Sequence, residues 1–411
     1  MPANTSLTFG ADASGTNYIL QEAIGGYSDE AYTAARKLSS TGIVGNNPNI
    51  DVNTETYVGQ MRWRTNVNET INVASLSDAG EGALSDYGTA MLKYIKSVRN
   101  YGAKKINMKQ VVTQEDGLAK IGRDFGEIRA QDEHDYILAA LKAVATSEVL
   151  NGCAEGSGAT GNGGQTWDND PTDKSYGFYV DMTTTLLNKV GYESDGTTAN
   201  AAYAGAQRAE GFLEAFGKAY KDYEPDWAYL IVSPKTLASL RSANLVDQTT
   251  VTDGNLDFQT IFNGKFRLIQ TRANQSLAAG DITLFNGAAG GNITAAALTS
   301  YIVLPGALSF TNIPVPDQVE IDRDASIYKG GGVTEIWYRW GYILHPAGYD
   351  WVGDKTKFVE NADYAKLTQS TNYRTLADAI TASATLQDTT GCFDRKASSV
   401  LSLGILPIFH L

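Results

Sequence analysis

The stretch that most limits the fold is "QEDGLAKIGRDFGEIRAQDEHDYILAALKAVATSEVL", which follows Thr113. Leu118, Ile121, Phe125 and Ile128 recur at helical spacing, and Ile137, Leu138, Leu141 and Val144 resume it. Thr113 and Asp116 approximate a capping box. A continuous helix over residues 113–150, at ~1.5 Å per residue, is a rod of roughly 50 Å. That is long for a compact enzyme domain and suits a girder. The charged run from Asp132 to Asp135 predicts exposure or a kink midway.

A second constraint is "WYRWGYILHPAGYDW", residues 337–351, with three of the six tryptophans. Ile336, Tyr338, Trp340, Tyr342 and Leu344 are uniformly bulky; Trp337, Arg339, Gly341, Ile343 and His345 are mixed. Period two with one heavy face describes a strand buried on that face. Trp337, Tyr338, Trp340 and Tyr342 are the expected core-strand residues. Pro346 cannot continue a ladder, so the strand is expected to end at His345. A core strand and its corner explain these aromatics more economically than a ligand platform or a catalytic histidine.

Composition narrows the function. With 411 residues, two or three domains are expected, and 43% apolar residues suffice for a substantial core. The net charge of −13 argues against a dedicated nucleic-acid binder. Cys153 and Cys392 are too few for a disulfide framework and read as free thiols. No signal peptide or membrane span is expected.

One segment departs from the acidic whole. From Arg62 to Lys109, eight basic residues face four acidic ones, a net of +4. "GQMRWRT" and "INMKQV" alternate on either side of "TINVASL" and a glycine-rich middle, so 57–112 reads as a two-stranded excursion. A basic arm on an acidic body is attracted by most of a neighbouring copy. A solvated hairpin with incidental lysines fits the charge equally well. The candidate contact residues are Arg62, Trp63, Arg64, Lys93, Lys96, Arg99, Lys104 and Lys105.

Elsewhere, Ser28 is expected to cap a helix running to Leu38, and 201–223 resumes helix. Residues 151–200 read as a loop-rich surface insertion. "WAYLIVS", "GKFRLIQTR", "DITLFN", "SYIVLP" and "ALSFTN" read as strands, and Ser233-Pro234 opens a helix. Two further strands meet at Gly330-Gly331-Gly332, and the last sixty residues mix helix-like and strand-like pieces.

Chemical motifs are weak. Gly156 to Gly161 fits GxGxxG, but a helix precedes it where a dinucleotide site needs a strand. Asp168, Asp170 and Asp173 lack the spacing of a calcium loop. His134, His345 and His410 assemble neither a zinc site nor a triad. No catalytic residue, cofactor or metal is expected.

The order of parts resembles the major capsid protein of tailed bacteriophages, the Hong Kong 97-type fold. The most family-like pieces are "YLIVSPKTLASLR" (residues 229–241) and the strand of residues 337–351. The resemblance implies an α+β chain with an N-terminal arm (1–56) and an extended β-loop (57–112). A peripheral domain (113–204) follows, with a spine helix (113–150) and the 151–200 insertion. An axial domain (205–325) and return strands with a C-terminal segment (326–411) complete it. It implies self-assembly into pentamers and hexamers of an icosahedral shell around double-stranded DNA, bound without sequence specificity. Scaffolding, portal and cement or decoration proteins would be further partners. The location would be the virion capsid, assembled in the host cytoplasm, with no membrane partner. Some members cross-link a loop lysine to a neighbour's asparagine; Lys93, Lys96, Lys104 and Lys105 lie in the corresponding element, though no cross-link is expected here. The rival readings are an encapsulin-like nanocompartment shell, another virion structural protein and an unrelated α/β enzyme.

Overall fold

The computed structural model describes residues 18–36, 38–45, 50–52, 56–64, 89–106, 117–151, 180–181, 225–242, 245–247, 250–253, 256–271, 276–277, 297–324, 326–327, 329–351, 353–356, 373–375 and 404–410, with a few single residues between. The chain is α+β. Its helices are α1 (Tyr18–Ala35), α2 (Gly117–Asn151) and α3 (Pro234–Ser242), with a 3-10 turn at Leu38–Ser40. Its strands are β1 (Val44–Gly45), β2 (Val58–Arg64), β3 (Thr89–Ile106), β4 (Val180–Asp181), β5 (Ala228–Val232), β6 (Thr250–Asp253), β7 (Leu256–Ile261), β8 (Phe266–Gln270), β9 (Ser276–Leu277), β10 (Ala297–Val303), β11 (Leu308–Ile313), β12 (Val319–Asp324), β13 (Val333–Pro346), β14 (Tyr349–Trp351), β15 (Tyr373–Thr375) and β16 (Ile405–His410).

Two mixed sheets carry the core. The first runs β1-β11-β13-β3-β2, with β12 also on β13. The second runs β4-β16-β10-β5-β8-β7-β6, with β9 on β10. The chain passes from the second sheet to the first between Val303 and Leu308, where Gly306 turns with φ +72°. The axial segment was expected to reach 325, yet β11 and β12 belong to the first sheet. The C-terminal strand β16 lies in the second, between β4 and β10. Hydrophobic pattern identifies strands but not their partners, so these assignments follow only from pairing. Val180–Asp181, inside the expected 151–200 insertion, is itself a strand parallel to β16.

The rod is real. α2 is a continuous 35-residue helix, packed on β13 and on α1. Phe125 stacks on Tyr338 with ring centroids 5.4 Å apart, and Tyr136 meets Tyr342 edge-on at 5.4 Å. α1 begins at Tyr18 and Ser28 sits buried inside it, so Ser28 is not the cap expected. Ile24, Ser28 and Tyr32, four apart, form its buried stripe. That stripe lies in a groove made by two glycines of α2. A Cβ at Gly126 would stand 2.2 Å from the Ser28 carbonyl oxygen and 2.6 Å from the Tyr32 nitrogen. At Gly122 it would stand 2.9 Å from the Tyr27 Cβ.

Other expectations hold locally. β5 is buried throughout. The Ser233 Oγ accepts from the Thr236 backbone N–H at 3.1 Å, an N-cap for α3. Phe212, Phe216 and Tyr220, at helical spacing in the expected 201–223 helix, are buried. β13 runs one residue further than expected, because Pro346 pairs with Leu308 at the strand's last position. The 107–116 stretch that holds most of "INMKQV" and the Thr113 cap, and the strand "DITLFN", lie outside the described residues.

Candidate functional site

The expected excursion is built differently from its sequence reading. The partner of β2 is the 18-residue β3, and only its first seven residues pair with β2, Val58↔Ile95 through Arg64↔Thr89. From Lys96 onward β3 is a full member of the first sheet, paired with β13 through Ile106↔Val333. Ile50, Met61, Leu92, Tyr94 and Ile343 form a small core at the root of the arm. Two outside contacts fasten the root. The Lys93 N–H donates to Asp350 Oδ1 at 2.6 Å, and the Tyr94 hydroxyl donates to the Asp51 carbonyl at 2.6 Å.

This geometry redistributes the charge. Lys96 is 6% exposed, and its ammonium donates to the Val52 carbonyl at 3.0 Å. Burial lowers its pKa. Arg99 is 7% exposed and its Nε lies 3.6 Å from Asp132 Oδ1. Lys104 pairs with Glu335 at 3.4 Å, and the Lys105 stem rests beside Gly117 of α2. So Lys96 and Arg99 are turned into their own chain rather than offered to a neighbour. Of the eight candidates, Arg62, Trp63, Arg64 and Lys93 lie on the β2–β3 arm. Over residues 57–95 the arm has three bases against four acids. The positive charge read across 62–109 belongs mainly to the strand's inner half.

The charged run of α2 is neither exposed nor kinked. Asp132 accepts from the Tyr342 hydroxyl at 2.8 Å and from Trp340 Nε1 at 3.2 Å. Glu133, 1% exposed, accepts from the Tyr32 hydroxyl at 2.6 and 2.8 Å and from Ser39 Oγ at 3.2 Å. Arg129 and Arg36 lie 3.6 and 3.9 Å from its oxygens. Arg129 also donates to the Tyr338 hydroxyl and Asn312 Oδ1, both at 3.3 Å. Desolvation raises the Glu133 pKa against these partners, and burial with the neighbouring Glu133 charge raises that of Tyr32. This seam joins α1, α2 and the first sheet. The one signal for it in the sequence was acids placed mid-helix beside apolar positions.

The aromatic strand divides. Tyr338, Trp340 and Tyr342 are buried under α2. Trp337 is 40% exposed on the opposite face, lying across Gly102, where a Cβ would stand 2.7 Å from the ring. Pairs of opposite charge flank it, Lys104 with Glu335 and Arg339 with Glu320. His345 is buried, with Nε2 donating to the Tyr349 carbonyl at 2.7 Å, and burial lowers its pKa to about 4. It pins the corner after β13.

Little else converges. A cleft of about 880 Å³ lies between α1, α2 and β7–β8, lined by Leu38, Gln131, His134, Phe258 and Leu268 among others. Among the described residues no group of three His, Cys, Asp or Glu could hold a metal ion, and no helix is long and apolar enough to cross a membrane. The glycine loop at 156–161, Asp168, Asp170, Asp173 and both cysteines lie outside the described residues.

No family model matches the chain, and no curated protein matches its sequence. Among solved structures, it is similar to the capsid of Ralstonia phage GP4, at 12% identity over 80% of this chain and 88% of that one, with a TM-score of 0.46. It is similar to the head structure of Helicobacter pylori bacteriophage KHP40, at 9% identity over 92% and 90%, with a TM-score of 0.43. A third is the capsid asymmetric unit of Cyanophage Pam1, at 11% identity over 76% and 88%, with a TM-score of 0.41.

Proposed function

We propose that this chain is the major capsid protein of a tailed bacteriophage, assembling as pentamers and hexamers into an icosahedral shell that encloses double-stranded DNA. The observation that carries the reading is the order and connection of its parts. A two-stranded arm runs without a break into the sheet beneath a 35-residue helix. A second sheet is then built, and the chain returns through β11 to β13 to close the first. That is the order of arm, loop, spine helix, axial domain and return strands which the sequence resemblance implies.

The physics suits such a role. The core under α2 is large, aromatic and tied by a buried polar seam, which makes a rigid tile. The arm carries little net charge, so its contact with a neighbour would rest on strand pairing and apolar packing more than on long-range attraction. Repetition over many copies makes a strong shell from modest contacts. Closed rings of five and six need the heterologous interfaces that an arm laid on the next copy provides.

The test compares the full chain with a variant whose residues 65–88 are replaced by an Asn-Gly turn. Sedimentation velocity should show the full chain in particles of megadalton mass and the variant as a folded small species. Particles from both would overturn the role of the arm. A small species from both, with scaffolding protein supplied, would overturn the shell.

A further inference from the structure

The inner half of β3 has two edges. One pairs with β13 from Lys96 to Ile106. On the other, β2 stops at Val58, opposite Ile95, and the backbone at Tyr101, Gly102 and Ala103 has no second strand among the described residues. Beside it, between β3 and α2, lies a groove of about 280 Å³. Tyr101, Ala103, Ile121, Phe125 and Ile128 line it, with Asp124, Glu127 and Gln131 along it. Tyr101 leans on Phe125 at 5.8 Å but stays 43% exposed. An open strand edge beside a partly apolar groove is the arrangement that receives an added strand, whose backbone pairs while alternate side chains fill the groove.

We infer that the Tyr101–Ala103 edge of β3 receives Thr70–Leu76 ("TINVASL") from a second copy of this chain, as an added strand. This rests on the shell reading and names where the arm of one copy meets the next. Within that segment Ile71 and Val73 share one face, and Asn72 and Ala74 the other. Ile71 and Val73 enter the groove. The segment has no charged residue to desolvate.

Reach decides that the strand comes from another copy. The arm's middle is rooted at Arg64 and Thr89, which pair with each other. Ile71 is seven residues from Arg64, at most ~24 Å of extended chain. Tyr101 is twelve residues from Thr89 along β3, roughly 40 Å of strand. A chain's own Ile71 falls short of its own Tyr101.

The test uses the full chain with Cys153→Ser and Cys392→Ser, combining Ile71→Cys or Val73→Cys with Tyr101→Cys or Ala103→Cys. Mild oxidation of assembled particles, read on a non-reducing denaturing gel, should give a ladder of covalent multimers for at least one pairing. The dissociated chain should stay a monomer. Mixing the two single-cysteine variants should give dimers only. Particles that yield no ladder, or a faster-migrating internally linked monomer, would overturn strand addition while leaving the shell intact. If the cysteine-free parent forms no particles with scaffolding protein present, the shell reading fails and this inference falls with it. Val73→Glu provides a second readout: an unchanged monomer melting curve with loss of particles is expected, and normal particles would contradict it.

Discussion

The Tyr32 hydroxyl of α1 donates to both carboxylate oxygens of Glu133 on α2, 101 residues away, at 2.6 and 2.8 Å. Arg129 and Arg36 complete the shell around that carboxylate. The pair fixes how the first helix sits on the rod that organises the rest.

Removing the carboxylate leaves two guanidinium groups facing each other without their anion. Glu133→Ala should cost about 3–5 kcal/mol, the range for breaking a buried ion pair from one side. Tyr32→Phe should cost about 1.5–3 kcal/mol, the range for a hydrogen bond to a charged group. Urea unfolding curves of the two single variants and the double variant would give the coupling. Purely additive effects would show that the two residues do not act together.

The glycines of the two helices should behave oppositely. Gly126→Ala places a Cβ against the backbone of Ser28 and Tyr32, so α1 must move. Its helix-propensity gain of about 1 kcal/mol cannot offset that clash, and a net loss is expected. Gly25→Ala and Gly26→Ala meet nothing within 4 Å and should each raise stability by about 0.5–1 kcal/mol. Melting temperatures of the three variants decide the matter, and a stabilised Gly126→Ala would refute the groove.

The buried imidazole makes stability depend on pH. The pKa of His345 falls to about 4 in the folded chain, while the unfolded chain binds the proton near 6.5. Above pH 6.5 neither state holds the proton and no cost arises. Between pH 6.5 and 4 the unfolded state gains it first, so stability falls with pH by up to roughly 3 kcal/mol. His345→Gln should flatten that part of the stability–pH curve. An unchanged slope would place the titration elsewhere.

The two faces of β13 should differ sharply. Trp340→Ala empties a buried site and removes the Nε1 bond to Asp132. A loss of about 3–5 kcal/mol is expected. Trp337→Ala removes a half-exposed ring resting on Gly102 and should cost about 1 kcal/mol or less. Chemical denaturation measures both, and equal losses would contradict the assignment of faces.

These contrasts show what the sequence could and could not convey. α2, β5, the Ser233 cap and the bulky face of β13 were legible because their signals are local: periodicity, a capping side chain, alternation. β3 was not. "TAMLKYIKSVRNYGAKKI" holds five basic side chains and a central glycine, which read as a solvated arm. They become acceptable in a sheet only through distant partners: Val52 for Lys96, Asp132 for Arg99, Glu335 for Lys104, and Trp337 filling the space over Gly102. Asp132 and Glu133 misled for the same reason, since their hydroxyl, indole and guanidinium partners come from α1, β3 and β13. Which sheet claims β11, β12 and β16 is likewise a matter of pairing that no local pattern states.

The central claim is that the chain works by assembling with copies of itself. The most direct measurement is negative-stain electron microscopy of the purified full chain with its scaffolding protein, alongside a size-exclusion trace. Closed shells, or rings of five and six subunits exchanging with monomer, are the predicted result. A monodisperse monomer or dimer at high concentration under those conditions would contradict it.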